Sequence, residues 1–300
     1  MLVDLPDGRR LEVVAAGPED GLPLVYHYGT PGGPVPHAPM VDAAARRGLR
    51  TVLCARPGYG ESTPRPGRSV ADVAADVAAV LDALGARRFL TVGKSGGGPH
   101  ALACAALLPD RCAAAASVAG VAPYGVAGLD WLAGMGPENV EEFTAALDGP
   151  AALTRFLEAQ LPSLVDVQAA DVAAAFGELL SDVDRQCLTG EFAEFTAASL
   201  RGAVANGIAG WRDDDLAFAK DWGFPLGVGA PVAIWQGGQD PMVPSAHGVW
   251  LAAHLPDAKV HLLPDEGHLS RSRRSSTIWW RSPGERCPAW ARWRSSRVHA

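Results

Sequence analysis

Val92-Gly93-Lys94-Ser95-Gly96-Gly97-Gly98-Pro99 is the stretch on which the reading of the fold turns. Before it, Arg88-Phe-Leu-Thr-Val-Gly93 has the apolar run of a short buried strand. After it, His100-Ala-Leu-Ala-Cys-Ala-Ala-Leu-Leu108 predicts an apolar helix that stops at Pro109-Asp110. A strand that becomes a helix within three residues forces its apex residue into a sparsely populated backbone conformation. Small neighbours are needed on both sides, and Gly93 and Gly97 supply them. The apex is Ser95. Its hydroxyl would project from the end of the sheet, while the Gly96 N–H would open the following helix. That geometry suits a nucleophile whose adduct oxygen is held by helix-terminal amides. G-x-S-x-G alone is a weak signal in a chain with 34 glycines among 300 residues, so the strand before and the helix after carry the inference.

Working outward, β and α signals alternate. Arg10-Leu-Glu-Val-Val-Ala-Ala16 predicts an early antiparallel strand ending at Gly17-Pro18, and Pro23-Leu-Val-Tyr-His27 a buried strand. The latter runs into Tyr28-Gly29-Thr30-Pro31-Gly32-Gly33-Pro34. A glycine- and proline-rich loop at a strand's carboxyl end is where an open α/β sheet places ligands. Taken alone it is a tight turn; beside Ser95, its Thr30 N–H is a candidate to join the Gly96 N–H around an oxyanion. Leu49–Ala55 is the next strand. It ends in Arg56-Pro-Gly-Tyr-Gly-Glu-Ser62, whose Gly58-x-Gly60 lacks the third glycine and the immediate helix of a dinucleotide loop. Ser69 and Asp72 then form a capping-box pattern ahead of an apolar stripe, Val70, Val73, Val77, Val80, Leu81 and Leu84, closed by Gly85. Arg111–Ala119 is a further buried strand. Such alternation predicts an α/β fold, a mostly parallel central sheet with helices on both faces.

The rhythm changes at Pro123. Residues 124–224 hold no strand signal but four helix-like segments, around 137–147, 151–161, 166–180 and 181–205, separated by prolines and glycines. A hundred residues of helix between two strands predicts a helical cap over the sheet's active end. Trp131, Leu132 and Phe143 are its candidates to face a pocket. The core is then 1–123 together with 225–270. Strands return at Pro231–Trp235 and Lys259–Leu263, which lead respectively into Gln236-Gly-Gly-Gln-Asp240-Pro-Met-Val-Pro244 and Pro264-Asp-Glu-Gly-His268. Asp240 and His268 thus follow late strands on the same edge as Ser95. Alone, Asp240 is a turn aspartate before proline and His268 a loop histidine, as His37, His247 and His254 are; His100 and His261 are packing residues. A serine hydroxyl needs a base to take its proton, and that base an anion to fix its tautomer, so the three together have a chemistry that none has alone.

From about residue 20 to 270 the chain resembles the α/β-hydrolase superfamily, in the capped branch that includes esterases and prolyl-aminopeptidase-like enzymes. The motifs are Gly-Lys-Ser95-Gly-Gly, Gly29-Thr-Pro31, Gly-Gly-Gln-Asp240-Pro-Met-Val-Pro and Gly-His268, in the chain order Ser…Asp…His of that superfamily. The resemblance implies Ser95 as nucleophile, His268 as general base, Asp240 as its partner, and the N–H groups of Thr30 and Gly96 as the oxyanion hole. It also implies ester cleavage without metal or organic cofactor. Serine rather than aspartate at the apex argues against epoxide hydrolase and haloalkane dehalogenase chemistry. Three departures stand out. The superfamily's usual His-Gly before the oxyanion loop is Tyr28-Gly29, with His27 one place earlier. Lys94 stands where an aromatic or amide residue is common, and superfamily geometry points it away from the nucleophile. Finally, residues 271–300 hold eight arginines, one acidic residue and four of the nine tryptophans where a sheet-covering helix belongs.

That tail carries about +7 against about −14 for residues 1–270. The abrupt change reads as a shifted reading frame near the gene's end rather than a basic arm, and the tail is expected to be irregular and dispensable. The remaining composition bounds the function. A net charge of −7 gives no reason to expect nucleic acid or an anionic membrane as partner. No apolar leader or spanning segment is evident, and five scattered cysteines without Cys-x-x-Cys predict a reduced, cytoplasmic protein. The expected partner is a small-molecule ester. Two other functions are weighed beside it: a prolyl-type aminopeptidase, whose cap would need Glu138, Glu141 or Glu142 to hold a free amine, and a non-catalytic binding module on the same scaffold.

Overall fold

A computed structural model describes residues 1–270; the expectations for 271–300 lie outside the described residues. Eight strands form one sheet in the order β1-β2-β4-β3-β5-β6-β7-β8. They are β1 (Leu2–Asp4), β2 (Arg10–Ala16), β3 (Leu22–His27), β4 (Leu49–Cys54), β5 (Phe89–Lys94), β6 (Cys112–Val118), β7 (Val232–Gly237) and β8 (Lys259–Leu263). β1 and β2 pair antiparallel, β2 runs antiparallel to β4, and every later pairing is parallel. All three candidate residues, Ser95, Asp240 and His268, therefore follow strands that point the same way. β1 has no counterpart in the sequence reading. Three residues are too few to show alternation, and the Leu5–Arg9 turn, with Gly8 at φ 83°, is what folds β1 back on β2.

The crossover helices follow from apolar spacing. α1 (Ala38–Ala45) packs on β4. The Ser69–Asp72 signal opens not an α-helix but a 3-10 turn over Val70–Asp72, in which the Asp72 carboxylate accepts from the Ser69 N–H at 2.7 Å. α2 (Val73–Ala83) continues from it and buries Val73, Val77, Val80 and Leu81, one stripe at helical spacing. α3 (Gly97–Leu107) starts two residues after Ser95 and is buried along nearly its whole length. Between β7 and β8 lies α10 (Ser245–His254).

Between β6 and β7 the described residues contain helices and no strand: α4 (Pro137–Leu147), α5 (Pro150–Val165), α6 (Val172–Ala175), α7 (Asp182–Arg185), α8 (Gly190–Val204) and α9 (Ala209–Phe218). Three boundaries differ from the sequence reading. α5 runs through Pro162, because the missing N–H falls in its last turn, opposite the carbonyl of the exposed Glu158, which water can satisfy. The segment 166–180 folds only at α6 and a 3-10 turn, broken at Gly177 (φ 55°). The segment 181–205 is split at Gly190 (φ 54°) into α7 and α8. α8 and α9 rest on the loops after β3 and β4: the Gly33 N–H donates to the Ser199 carbonyl at 2.9 Å, and a Cβ on Gly58 would meet the Gly210 nitrogen at 2.7 Å. No described helix is long and apolar enough to cross a membrane.

Candidate active site

Ser95 has φ 54°, and only Ala119 shares a positive φ among the described non-glycine residues. The turn is fixed from both sides. The Ser95 N–H donates to the Val118 carbonyl on β6, and the Gly98 N–H donates back to the Ser95 carbonyl, each at 2.8 Å. Its glycines are a steric requirement: a Cβ on Gly93 would lie 1.9 Å from the Gly97 oxygen, and one on Gly97 2.0 Å from the His27 oxygen. Backbone cannot yield at those distances.

The loop after β3 lies directly against this turn. A Cβ on Gly29 would be 3.3 Å from that of Ser95, and one on Gly96 would be 2.5 Å from the Thr30 hydroxyl and 3.1 Å from the Phe218 ring. Thr30 and Gly96 are thus brought together, and neither N–H donates to any described residue. Two backbone donors without a described partner beside a half-buried apex serine are an unusual pairing, since backbone N–H groups in a folded chain nearly always have partners. The Thr30–Pro31 peptide is cis.

On the other side of the turn, His268 Nδ1 lies 2.8 Å from Asp240 Oδ2. Asp240 is held in turn by the N–H groups of Met242 and Val243 on Oδ1, at 2.9 and 2.8 Å, and by the Gln236 amide on Oδ2 at 3.2 Å. An anion fixed by three donors and facing one imidazole nitrogen orients that ring and favours a proton on Nδ1. His268 and Asp240 are joined, but the Ser95 hydroxyl makes no hydrogen bond to a described residue, His268 included.

Sequence reasoning missed the group that holds His268. Asp184 on α7, fully buried, accepts the N–H groups of His268 (2.9 Å), Leu269 (2.7 Å) and Ser270 (2.8 Å), with the Ser181 hydroxyl on the same carboxylate at 2.9 Å. Ser181-x-x-Asp184 was available as a cap-like signal, but nothing local tells that the carboxylate faces a loop 84 residues on. Arg56 and Asp214, which hold the loop after β3, were missed as well.

Other residues singled out from sequence fall elsewhere. His27 is buried beside Cys104 Sγ at 3.7 Å, and burial with the nearby His100 and Arg56 holds it neutral. Tyr28 packs its ring under the Arg56 guanidinium, 4.4 Å away. Lys94 is half-buried and makes no hydrogen bond or ion pair with a described residue. Burial lowers its ammonium to about 8 against the opposing pull of Asp184 and Asp240. Trp131 and Phe143 are both buried. They pack edge to face 4.6 Å apart, and the Trp131 N–H donates to the Ala122 carbonyl. Glu142 is not on a solvated face: it accepts from Trp211 Nε1 at 2.6 Å, and the Asp215 carboxyl acts on it electrostatically. Burial raises both carboxyls, and their mutual repulsion adds to the rise at Asp215, so the pair holds a proton. Glu138 accepts the Glu178 N–H at 2.8 Å, while Glu141 is exposed. Among the described residues no group of three or more His, Cys, Asp or Glu side chains is placed to hold a metal.

A parallel sheet with a serine at a strained strand-to-helix turn and a His–Asp pair beyond later strands defines an α/β-hydrolase architecture. The chain belongs to the alpha/beta hydrolase fold family, whose model matches residues 23–270. Among curated proteins it is 35% identical over 147 residues to a non-heme chloroperoxidase of Streptomyces lividans, covering 48% of this chain and 53% of that protein. It is 31% identical over 150 residues to epoxide hydrolase B of Mycobacterium tuberculosis, covering 48% of this chain and 42% of that protein. The chain thus spans about half the length of these relatives. Among solved structures, a hydrolase from Pseudomonas aeruginosa superposes with a TM-score of 0.65 at 21% identity, over 91% of this chain and 92% of that one.

Proposed function

We propose that this protein is a serine hydrolase that cleaves small carboxylic esters through an acyl-enzyme. The observation that carries the reading is Ser95 at φ 54° with the unengaged N–H groups of Thr30 and Gly96 beside it. His268 Nε2 takes the Ser95 proton as Oγ attacks the ester carbonyl, and the oxygen that gains the electron pair is received by the two N–H groups. Collapse expels the alcohol, which takes the proton back from His268. Water then repeats the sequence and releases the acid. Asp240 keeps Nδ1 protonated and stabilises the imidazolium that forms twice per turnover. Closing the gap between Ser95 and His268 falls to the substrate complex, since catalytic hydrogen bonds are often loose in the free enzyme.

In this reading 124–224 is the cap and 1–123 with 225–270 the catalytic core. Support comes from Asp184 and Asp214, which reach from the inserted helices to the two loops that flank Ser95. The epoxide hydrolase relative does not redirect the chemistry, because epoxide opening in this superfamily uses an aspartate where this chain has Ser95. The buried Cys54, Cys104 and Cys112, free of disulfides, fit a reducing, cytoplasmic setting.

The test is a panel of 4-nitrophenyl esters from acetate to octanoate beside a prolyl 4-nitroanilide. Turnover of the short esters is expected. Release from the anilide and none of the esters would move the assignment to an amide-cleaving aminopeptidase, with the Glu142–Asp215 pair as its amine site.

A further inference from the structure

A buried carboxylate with five side chains around it lies outside the Ser95–His268–Asp240 set. Asp214 on α9 is fully buried. Its Oδ2 accepts from the Thr30 hydroxyl at 2.8 Å, from Arg56 Nη2 and Nε at 2.6 and 2.9 Å, and from the Tyr59 hydroxyl at 2.9 Å. Its Oδ1 accepts from Arg68 Nη2 at 2.6 Å and has His100 Nε2 3.5 Å away. Burial opposes ionisation, but the Arg56 and Arg68 guanidiniums outweigh it and hold the carboxyl well below the usual range.

What Asp214 fixes is one short loop. Arg56, clamped by Asp214, donates Nη1 to the Tyr28 carbonyl at 2.8 Å and Nη2 to the Gly29 carbonyl at 2.9 Å, while its own N–H donates to the Tyr28 hydroxyl at 3.0 Å. With the Thr30 hydroxyl on Asp214 itself, three consecutive residues, Tyr28, Gly29 and Thr30, are tied to one carboxylate directly or through one guanidinium. These are the residues that set the Thr30 N–H beside Gly96. Gly29 meanwhile abuts Ser95, so the loop cannot shift without moving that N–H relative to the nucleophile.

We propose that Asp214 is a positioning residue: through Arg56 and the Thr30 hydroxyl it holds the Thr30 N–H in place to receive the oxyanion, and so makes the inserted helices part of the oxyanion hole. The inference rests on the serine-hydrolase reading above. A donor aids the transition state only where it is already aimed, and small displacements forfeit much of its effect. A purely stabilising ion cluster would be a weak reason for this arrangement, since buried ion pairs are poor stabilisers compared with apolar packing. It would also give no reason for the contacts to converge on one loop.

The experiment compares Asp214→Asn, Thr30→Val and Tyr59→Phe with the full-length wild type. Readouts are kcat, KM and inhibition by an aryl trifluoromethyl ketone, whose serine hemiketal places an oxyanion in the hole. Asp214→Asn is expected to lower kcat about 10²–10³-fold, the scale of losing one oxyanion donor, with KM changed less than about threefold and inhibitor affinity weakened in parallel with kcat. Thr30→Val, which removes one of the three ties, should lose about tenfold in both. Tyr59→Phe removes a hydroxyl that donates to Asp214 and makes no hydrogen bond to the loop, while keeping the ring that packs on Tyr28, and should stay within about threefold. A folded Asp214→Asn with wild-type kcat and inhibitor affinity would overturn the proposal. Should Asp214→Asn not fold, Thr30→Val decides, and unchanged inhibitor affinity there overturns it equally. If the wild type neither turns over esters nor binds the ketone, the serine-hydrolase reading fails, and this inference with it.

Discussion

Replacing Asp184 by alanine should unseat the loop that carries His268. The buried carboxylate accepts three consecutive backbone N–H groups at 2.7–2.9 Å, and nothing else in the described structure serves those donors. Hydrogen bonds to an ionised acceptor contribute about 1.5–3 kcal/mol each, which would sum to about 5–9 kcal/mol if they were independent. They are not independent. Once the first is lost the loop can open and hydrate the rest, so a net cost of about 3–5 kcal/mol is expected, as for breaking a buried charged contact. At about 2–4 °C per kcal/mol for a chain of this size, the melting temperature should fall roughly 6–20 °C. Activity should fall further than stability, since the His268 ring is then held only by Asp240. Asp184→Asn, which keeps one carbonyl acceptor, should lie between. Thermal unfolding by circular dichroism with ester kinetics on the folded variants gives both numbers. A Asp184→Ala protein that melts within 2 °C of wild type with full activity would refute the reasoning.

Two buried histidines predict acid sensitivity. Burial holds His247 and His100 near 4 in the folded protein, and His247 is locked neutral by accepting the Ala122 N–H on Nδ1 while Nε2 faces the Trp131 carbonyl. The unfolded chain takes up these protons first, so the stability they contribute is complete above about pH 6.5 and lost as pH falls to about 4, up to about 3 kcal/mol for each. Urea unfolding at pH 7.5 and 5 should show the loss, and His247→Gln should reduce it; an equal slope in the variant would exclude His247. At the turn, Gly97→Ala should abolish ester turnover or prevent folding, because its Cβ would lie 2.0 Å from the His27 oxygen, whereas Gly227→Ala, with open space around it, should be silent in the same assay.

How much of this was legible follows from the range of the interactions. The Ser95 turn is local, so strand, glycines and helix announce it within some twenty residues. The parallel strands are apolar runs read the same way. β1 is invisible to periodicity because three residues carry no period, and the helices of 166–205 are shorter than their spacing predicts because Gly177 and Gly190 break them at positive φ. Asp240 and His268 were found by chain order. Asp184, Arg56 and Asp214 could not be, since their partners lie up to 184 residues away and their residue types default to the surface. Asp213-Asp214-Asp215 shows the difficulty most plainly: three consecutive acids look like a solvated helix face, and all three are buried. Only the assembled fold brings the Arg56 and Arg68 guanidiniums that make the burial of Asp214 tolerable.

Covalent labelling of Ser95 tests the proposed chemistry most directly. A fluorophosphonate loses fluoride to an activated serine and leaves a stable phosphonyl ester, which peptide mass spectrometry locates. One adduct is expected, on the peptide containing Ser95, forming in step with the loss of ester turnover. Ser95→Ala should take no label, melt like the wild type, and lose roughly 10⁴–10⁶ in kcat. An adduct on another residue, or ester turnover by Ser95→Ala near the wild-type rate, would contradict Ser95 as the nucleophile.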